Sequence, residues 1–165
     1  MQTYMTDLLS LYRNEPALFV LDQDPDGFEW INNISGNENM LVFLRKSRQE
    51  KEMLLVVCNF SPLVYENHKI GVPFKGSYKE IFSGDRAEYG GTGHINARAK
   101  ISRAEECDER PNSIRITVPP MGIAVFRCTR AKTTGTDDTD GGKRITAVEK
   151  AARKAREKQL KQQAK

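Results

Sequence analysis

The stretch "MLVFLRKSRQEKEMLLVVCNF", residues 40–60, decides the fold class. It holds two dense apolar runs, 40–46 and 53–60, around the charged segment "SRQEKE". Each run is too short for a typical globular helix. Asn, Ser or Pro residues bound them, which favours strands over helices. They read as two buried strands joined by a hairpin turn.

Working outward, the same signals recur. "FEWI" (28–31) is short and aromatic. "HKIGVPF" (68–74) and "GSYKEIFS" (76–83) follow, separated by a Lys-Gly turn. "SIRITVP" places Ile114, Ile116 and Val118 on one face, since strand side chains alternate. "GIAVFRC" (122–128) completes the set. Short strands with turn signals between them predict an all-β antiparallel sandwich or barrel.

Four segments stand outside this pattern. Residues 2–13 predict a short amphipathic helix, with Tyr4, Leu8, Leu11 and Tyr12 on one stripe, joined by Met5, and a stop at Pro16. A helix this short needs a surface to pack on. Residues 83–112 are long for a connection and have little periodicity. Residues 131–142, "AKTTGTDDTDGG", have the composition of a flexible linker. The basic tail, 143–165, is rich in helix formers but carries little to bury, so it reads as helical or disordered. That tail holds nine Lys and Arg against two Glu, a net of +7. The whole chain is only +4, so the body is about −3 by difference. Its high pI therefore belongs to the tail.

Composition excludes several classes. Apolar residues make up 38% and charged residues 29% of 165 residues, which suits one core with appendages. No apolar run reaches membrane-spanning length, and "MQTYMTDLLSLYRNEP" lacks the features of a secretory signal. Cys58, Cys107 and Cys128 are odd in number and widely spaced, without a CxxC pair. That argues against a disulfide framework or a zinc site and for a reducing, cytoplasmic setting. His68 and His94 have no metal-ligand spacing.

The candidate sites are few. "LDQDPDGFEWINN" (21–33) alternates Asp22, Asp24 and Asp26 before Gly27, as a calcium loop does. An EF-hand needs an apolar residue at position 8 and a bidentate Glu at position 12; here those positions are Glu29 and Asn33. Asp24-Pro25-Asp26-Gly27 is instead a good type I turn. "YGGTG" (89–93) lacks the Lys-Ser or Lys-Thr of a phosphate loop. A glycosidase carboxylate pair cannot be identified from linear spacing, and no nucleophile with its base has local support. Trp30, the only tryptophan, reads as a core or interface residue, with a sugar-stacking platform as the alternative; Tyr65 and Tyr78 would extend such a platform. Tyr89, beside glycines, is the better candidate for exposure. The tail lacks aromatics for base stacking. It reads as a solvated appendage, with polyanion binding as a third possibility.

Taken together, "LYRNEPAL" (11–18), "LDQDPDGFEWI", "VFLRKS", "LLVVCNFSP", "YKEIFSGDRAEYGGTG" and "ITVPPMGIAVF" resemble the C-terminal region of bacterial 1,4-α-glucan (glycogen) branching enzymes. These belong to the α-amylase-like glycoside hydrolase superfamily. The resemblance spans about residues 1–128 in order. It implies a C-terminal β-sandwich at 18–130, preceded at 1–17 by the last helix of a catalytic (β/α)8 barrel. It also implies a parent reaction that cleaves α-1,4-glucan and rejoins the fragment as an α-1,6 branch, with retention through a glycosyl-enzyme.

The motifs carrying the family's catalytic Asp and Glu residues do not occur here. No catalytic residue, metal ligand or cofactor is therefore assigned, and the isolated chain is expected to be a non-catalytic structural domain. The alternative is an autonomous α-glucan-binding module using Trp30 and Tyr89. Expected partners are the barrel domain and α-glucan such as glycogen or amylose, with no membrane and no nucleic acid. The opening helix, separated from its barrel, is expected to be loosely held, or to pack on the sandwich or on another copy. The tail from Ala131 and the loop near 94–112 depart from the family pattern.

Overall fold

The computed structural model describes residues 2–32, 39–49 and 51–131. The expected tail at 143–165, and the linker beyond Ala131, lie outside the described residues. Helix α1 spans Gln2–Asn14, and short 3-10 turns follow at Pro16–Leu18 and Pro25–Gly27. The strands are β1 (Phe28–Asn32), β2 (Met40–Lys46), β3 (Met53–Asn59), β4 (Tyr65–Val72), β5 (Gly76–Ser83), β6 (Lys100–Ile101), β7 (Asn112–Val118) and β8 (Gly122–Arg130). They form a six-stranded sheet, β1-β2-β3-β8-β5-β6, and a two-stranded sheet, β4-β7, with antiparallel pairing throughout.

The 40–60 stretch is the hairpin its pattern predicts. Met40 pairs with Asn59 and Lys46 with Met53, and the turn closes through Ser47 Oγ donating to Glu52 Oε2 at 2.7 Å. Strand β3 lies between β2 and β8, so its residues set rows across the sheet. On the inner face the rows are Leu44–Leu55–Phe126 and Val42–Val57–Ala124. These pack against Ile70, Val72, Ile114, Ile116 and Val118 of the small sheet. On the outer face the rows are Phe43–Val56–Val125 and Arg45–Leu54–Arg127. Leu54, Leu55, Val56 and Val57 are all buried. A strand covered on both sides reads as an unbroken apolar run, which is why "MLLVV" does not alternate.

The loop without periodicity closes the sandwich at two seams. At one, the turn Cys107–Arg110 joins β4 to β1. Asp108 accepts from Gly71 N–H at 2.8 Å and from Asn32 Nδ2 at 2.8 Å, while Arg110 pairs with Glu29. Burial works to raise the Glu29 carboxyl, and Lys46 and Arg110 outweigh it, so it sits below the usual range. At the other seam, Asn96 joins β5 to β7. Its Nδ2 donates to Glu80 Oε2 at 2.7 Å and to Thr117 O at 2.8 Å, and its Oδ1 accepts from Thr117 N at 2.9 Å.

The first seam carries strain. Asp108 and Glu109 have φ of 51° and 59°, the positive values that a type I′ turn requires and that non-glycine residues resist. A Cβ on Gly71 would stand 2.3 Å from Cys107 O, so only glycine lets the turn approach β4. Urea unfolding of two variants tests the seam. Asp108→Ala should lose ~2 kcal/mol for two charge-assisted hydrogen bonds, and Glu109→Gly should gain ~1 kcal/mol by relieving the left-handed residue.

Candidate docking surface

The outer face of the six-stranded sheet positions the N-terminal segment. After α1 the chain turns at Pro16 and crosses this face. Arg45 donates to Leu18 O at 3.0 Å and Ala17 O at 3.4 Å, and pairs with Asp22 at 2.7 Å. Arg127 pairs with Glu15, which is buried. The carbonyls that follow the helix thus find donors in a site otherwise apolar, as buried backbone polar groups require. Asp24 caps the next turn, accepting from Asp26 N at 2.9 Å. The aspartates of 22–26 therefore hold a turn and an arginine.

Helix α1 lies on the same face. Tyr4, Leu8 and Leu11 pack against the buried group formed by Ala17, Leu54, Val56, Phe82 and Val125. Of the expected arrangements, the helix takes the packed one, on the sandwich. Tyr12 and Met5, which the sequence placed on the same stripe, point away and are 49% and 46% exposed; Leu9 is 52% exposed. Positions 4, 8 and 11 and positions 5, 9 and 12 form two adjacent stripes, and the sheet covers only the first. Phe19 and Val20 extend the uncovered apolar surface past the helix end.

Tyr89 departs from its expected exposure. It packs edge-on to Tyr4, with ring centroids 5.2 Å apart, and lies 6.0 Å from Phe82. Its hydroxyl donates to Asp7 Oδ2 at 2.6 Å. Burial first, then the Asp7 carboxylate, pushes the Tyr89 hydroxyl up to about 12. The loop carrying it is held by Asp85. This carboxylate accepts from Thr92 N, Thr92 Oγ1 and His94 N, each at 2.8 Å. Burial works to raise Asp85, and those donors outweigh it, leaving it below the usual range. Gly91 permits the close return, since a Cβ there would lie 2.4 Å from the Asp85 backbone.

Trp30 departs from the core reading. It is 45% exposed on β1, edge-on to Phe28 at 4.8 Å and to Phe43 at 5.8 Å. Tyr78 is fully buried, donating to Phe74 O at 2.7 Å, so it extends no surface platform. Among the described residues, no group of three or more His, Cys, Asp or Glu is arranged to hold a metal ion. No described helix is long and apolar enough to cross a membrane.

These features define the class: a two-layer antiparallel β-sandwich whose larger sheet carries an N-terminal helix on its outer face. Residues 30–129 match the model of the alpha amylase C-terminal all-beta domain. The chain belongs to that family. It is 42% identical over 123 residues to the 1,4-alpha-glucan branching enzyme GlgB 1 of Clostridium perfringens (strain SM101 / Type A), covering 74% of this chain and 18% of the relative. It is 35% identical over 127 residues to the 1,4-alpha-glucan branching enzyme GlgB of Bacillus caldolyticus, covering 77% and 19%. The enzyme of the same name from Bacillus mycoides (strain KBAB4) is 34% identical over 143 residues, covering 87% and 22%. The chain spans about a fifth of the length of the curated relatives it matches.

The contact between α1 and the loop is open to titration. Following tyrosinate absorbance at high pH, Asp7→Asn should bring the Tyr89 ionisation down, because a charge that opposes the phenolate is gone. Tyr89→Phe should remove that phase. An unchanged titration in Asp7→Asn would contradict the contact.

Proposed function

We propose that this chain is the C-terminal β-sandwich of a 1,4-α-glucan branching enzyme, and that it works as a non-catalytic structural domain against the enzyme's catalytic barrel. One observation carries the reading. Helix α1 is apolar on two sides, and its own sheet covers one of them. Tyr4, Leu8 and Leu11 face the sandwich, while Met5, Leu9 and Tyr12 are exposed. A helix shared between two bodies has this pattern, and a contiguous exposed apolar surface marks a contact with other protein. The branching-enzyme names of the relatives, and the four-fifths of their length beyond the match, support a barrel as the second body. The barrel's strand ends would supply the carboxylates that cleave and rejoin glucan. The setting consistent with such an enzyme is the cytoplasm.

The exposure of Trp30 favours a second role on the same domain, contact with α-glucan. Its indole stands at the sheet edge, backed by Phe28 and Phe43. An aromatic face held by other rings suits stacking on a sugar. Tyr89, tied to Asp7 and packed on Tyr4, belongs to the helix seat in this reading.

Two measurements separate the roles. The purified chain should cause no decline in the iodine-complex absorbance of amylose; a catalytic decline would overturn the structural reading. In affinity electrophoresis through amylopectin, a purely structural domain migrates unretarded. A glucan-binding domain is retarded, and Trp30→Ala abolishes the effect.

A further inference from the structure

We infer that the groove at the strand end beside the start of α1 is a second docking site for the polypeptide that precedes α1 in the longer protein. This rests on the reading above and extends it to a surface separate from the exposed helix stripe. The groove has a volume of about 400 Å³ and is lined by Tyr4, Cys58, Phe60, Met121 and Ile123, with the Asn59 and Gly84 loops. Its rim is apolar and uncovered: Phe60 is 59% and Met121 70% exposed.

These side chains are held out by a buried polar network. Asn59, 1% exposed, donates to Leu63 O at 2.9 Å and Pro119 O at 2.8 Å, and accepts from Ser61 N at 2.8 Å. Met121 N donates to Ser61 O at 2.9 Å, and Phe60 N to Asn39 O at 2.9 Å. The chain after β3 and the turn before β8 are thereby locked together. Met121 sits at φ 42°, a left-handed conformation that opposes any side chain. A strained, rigidly supported methionine that its own domain leaves in solvent points to a partner surface.

The position names the occupant. Tyr4, in the first turn of α1, forms one wall of the groove. Chain arriving at α1 therefore passes its mouth. The relatives carry four-fifths of their length outside the matching stretch. The partner is accordingly an apolar protein surface in cis.

Cysteine protection tests this. Met121→Cys, Leu9→Cys and Ile101→Cys are each made in this chain. The same three are made in the Clostridium perfringens relative with its matching stretch of 123 residues replaced by that of this chain. Maleimide labelling is mapped by mass spectrometry. The expected result is at least tenfold slower labelling at 121 in the long protein, and equal labelling in both at 101, where Ile101 is 68% exposed on the far sheet edge. Protection at 9 without protection at 121 would overturn this inference and leave the proposed function standing. Protection at neither would overturn both. Concentration-dependent protection at 121 in the isolated chain would replace the cis partner with a second copy. Independently, Met121→Gly should raise the melting temperature of the isolated chain by several degrees. A lower melting temperature would mean that Met121 serves its own domain, and would overturn the inference.

Discussion

The arrangement depends on two arginines that one strand register places on the outer face of the six-stranded sheet. Arg45 on β2 and Arg127 on β8 stand on either side of Leu54, in one row across three strands. Arg45 serves the carbonyls of Ala17 and Leu18, and Arg127 pairs with Glu15. An irregular segment leaving a helix brings unsatisfied carbonyls with it, and burying them on an apolar sheet costs more than the packing gains unless donors wait there. Arg45, only 16% exposed at its side chain, is the stronger of the two, because Arg127 is half exposed and its ion pair is screened. Once the segment is pinned, Ala17 completes the apolar patch that receives Tyr4, Leu8 and Leu11. The Asp7–Tyr89 contact and the aromatic packing with Phe82 then follow.

The domain is therefore a three-layer object: small sheet, large sheet and helix. The central strand β3 takes part in both interfaces, which is why its sequence is apolar without alternation. The helix has the same dual character at lower density, with one stripe covered and one open. A β domain carrying such a helix fits the proposed reading, in which the open stripe meets a second body. This physical asymmetry, more than any residue with chemical reactivity, connects the fold to its proposed role beside a barrel.

Much of this was legible in the residues. Strands β2 and β5 begin and end at the bounds of "MLVFLRK" and "GSYKEIFS", and Ile114, Ile116 and Val118 share the face their alternation assigned. The Asp-Pro-Asp-Gly turn follows local chemistry that needs no tertiary information. The seams were not legible. Asp108 and Asn96 act through single side chains reaching strands far away in sequence, and such hydrogen bonds leave no period. Strand β6 is two residues long, below what any pattern registers. Tyr12 and Met5 were grouped with the buried stripe because helical spacing gives a face and does not say where cover ends. Glycines around Tyr89 suggested exposure, yet they allow the loop to fold back on Asp85 and press the ring onto α1. Trp30 was read by residue type as a core or interface residue; β1 is an edge strand, and its 45% exposure takes Trp30 out of the core.

Amide hydrogen exchange on the monomeric chain tests the central claim most directly. The claim is that the two arginines seat the N-terminal segment and through it the helix. The account predicts measurable protection at Leu8 and Leu11 in the native chain. It predicts loss of that protection in the Arg45→Met, Arg127→Met double variant, while the amides of β3 keep theirs. Helix amides that exchange as freely as a short peptide in the native chain, or that are unaffected by the double substitution, would contradict it.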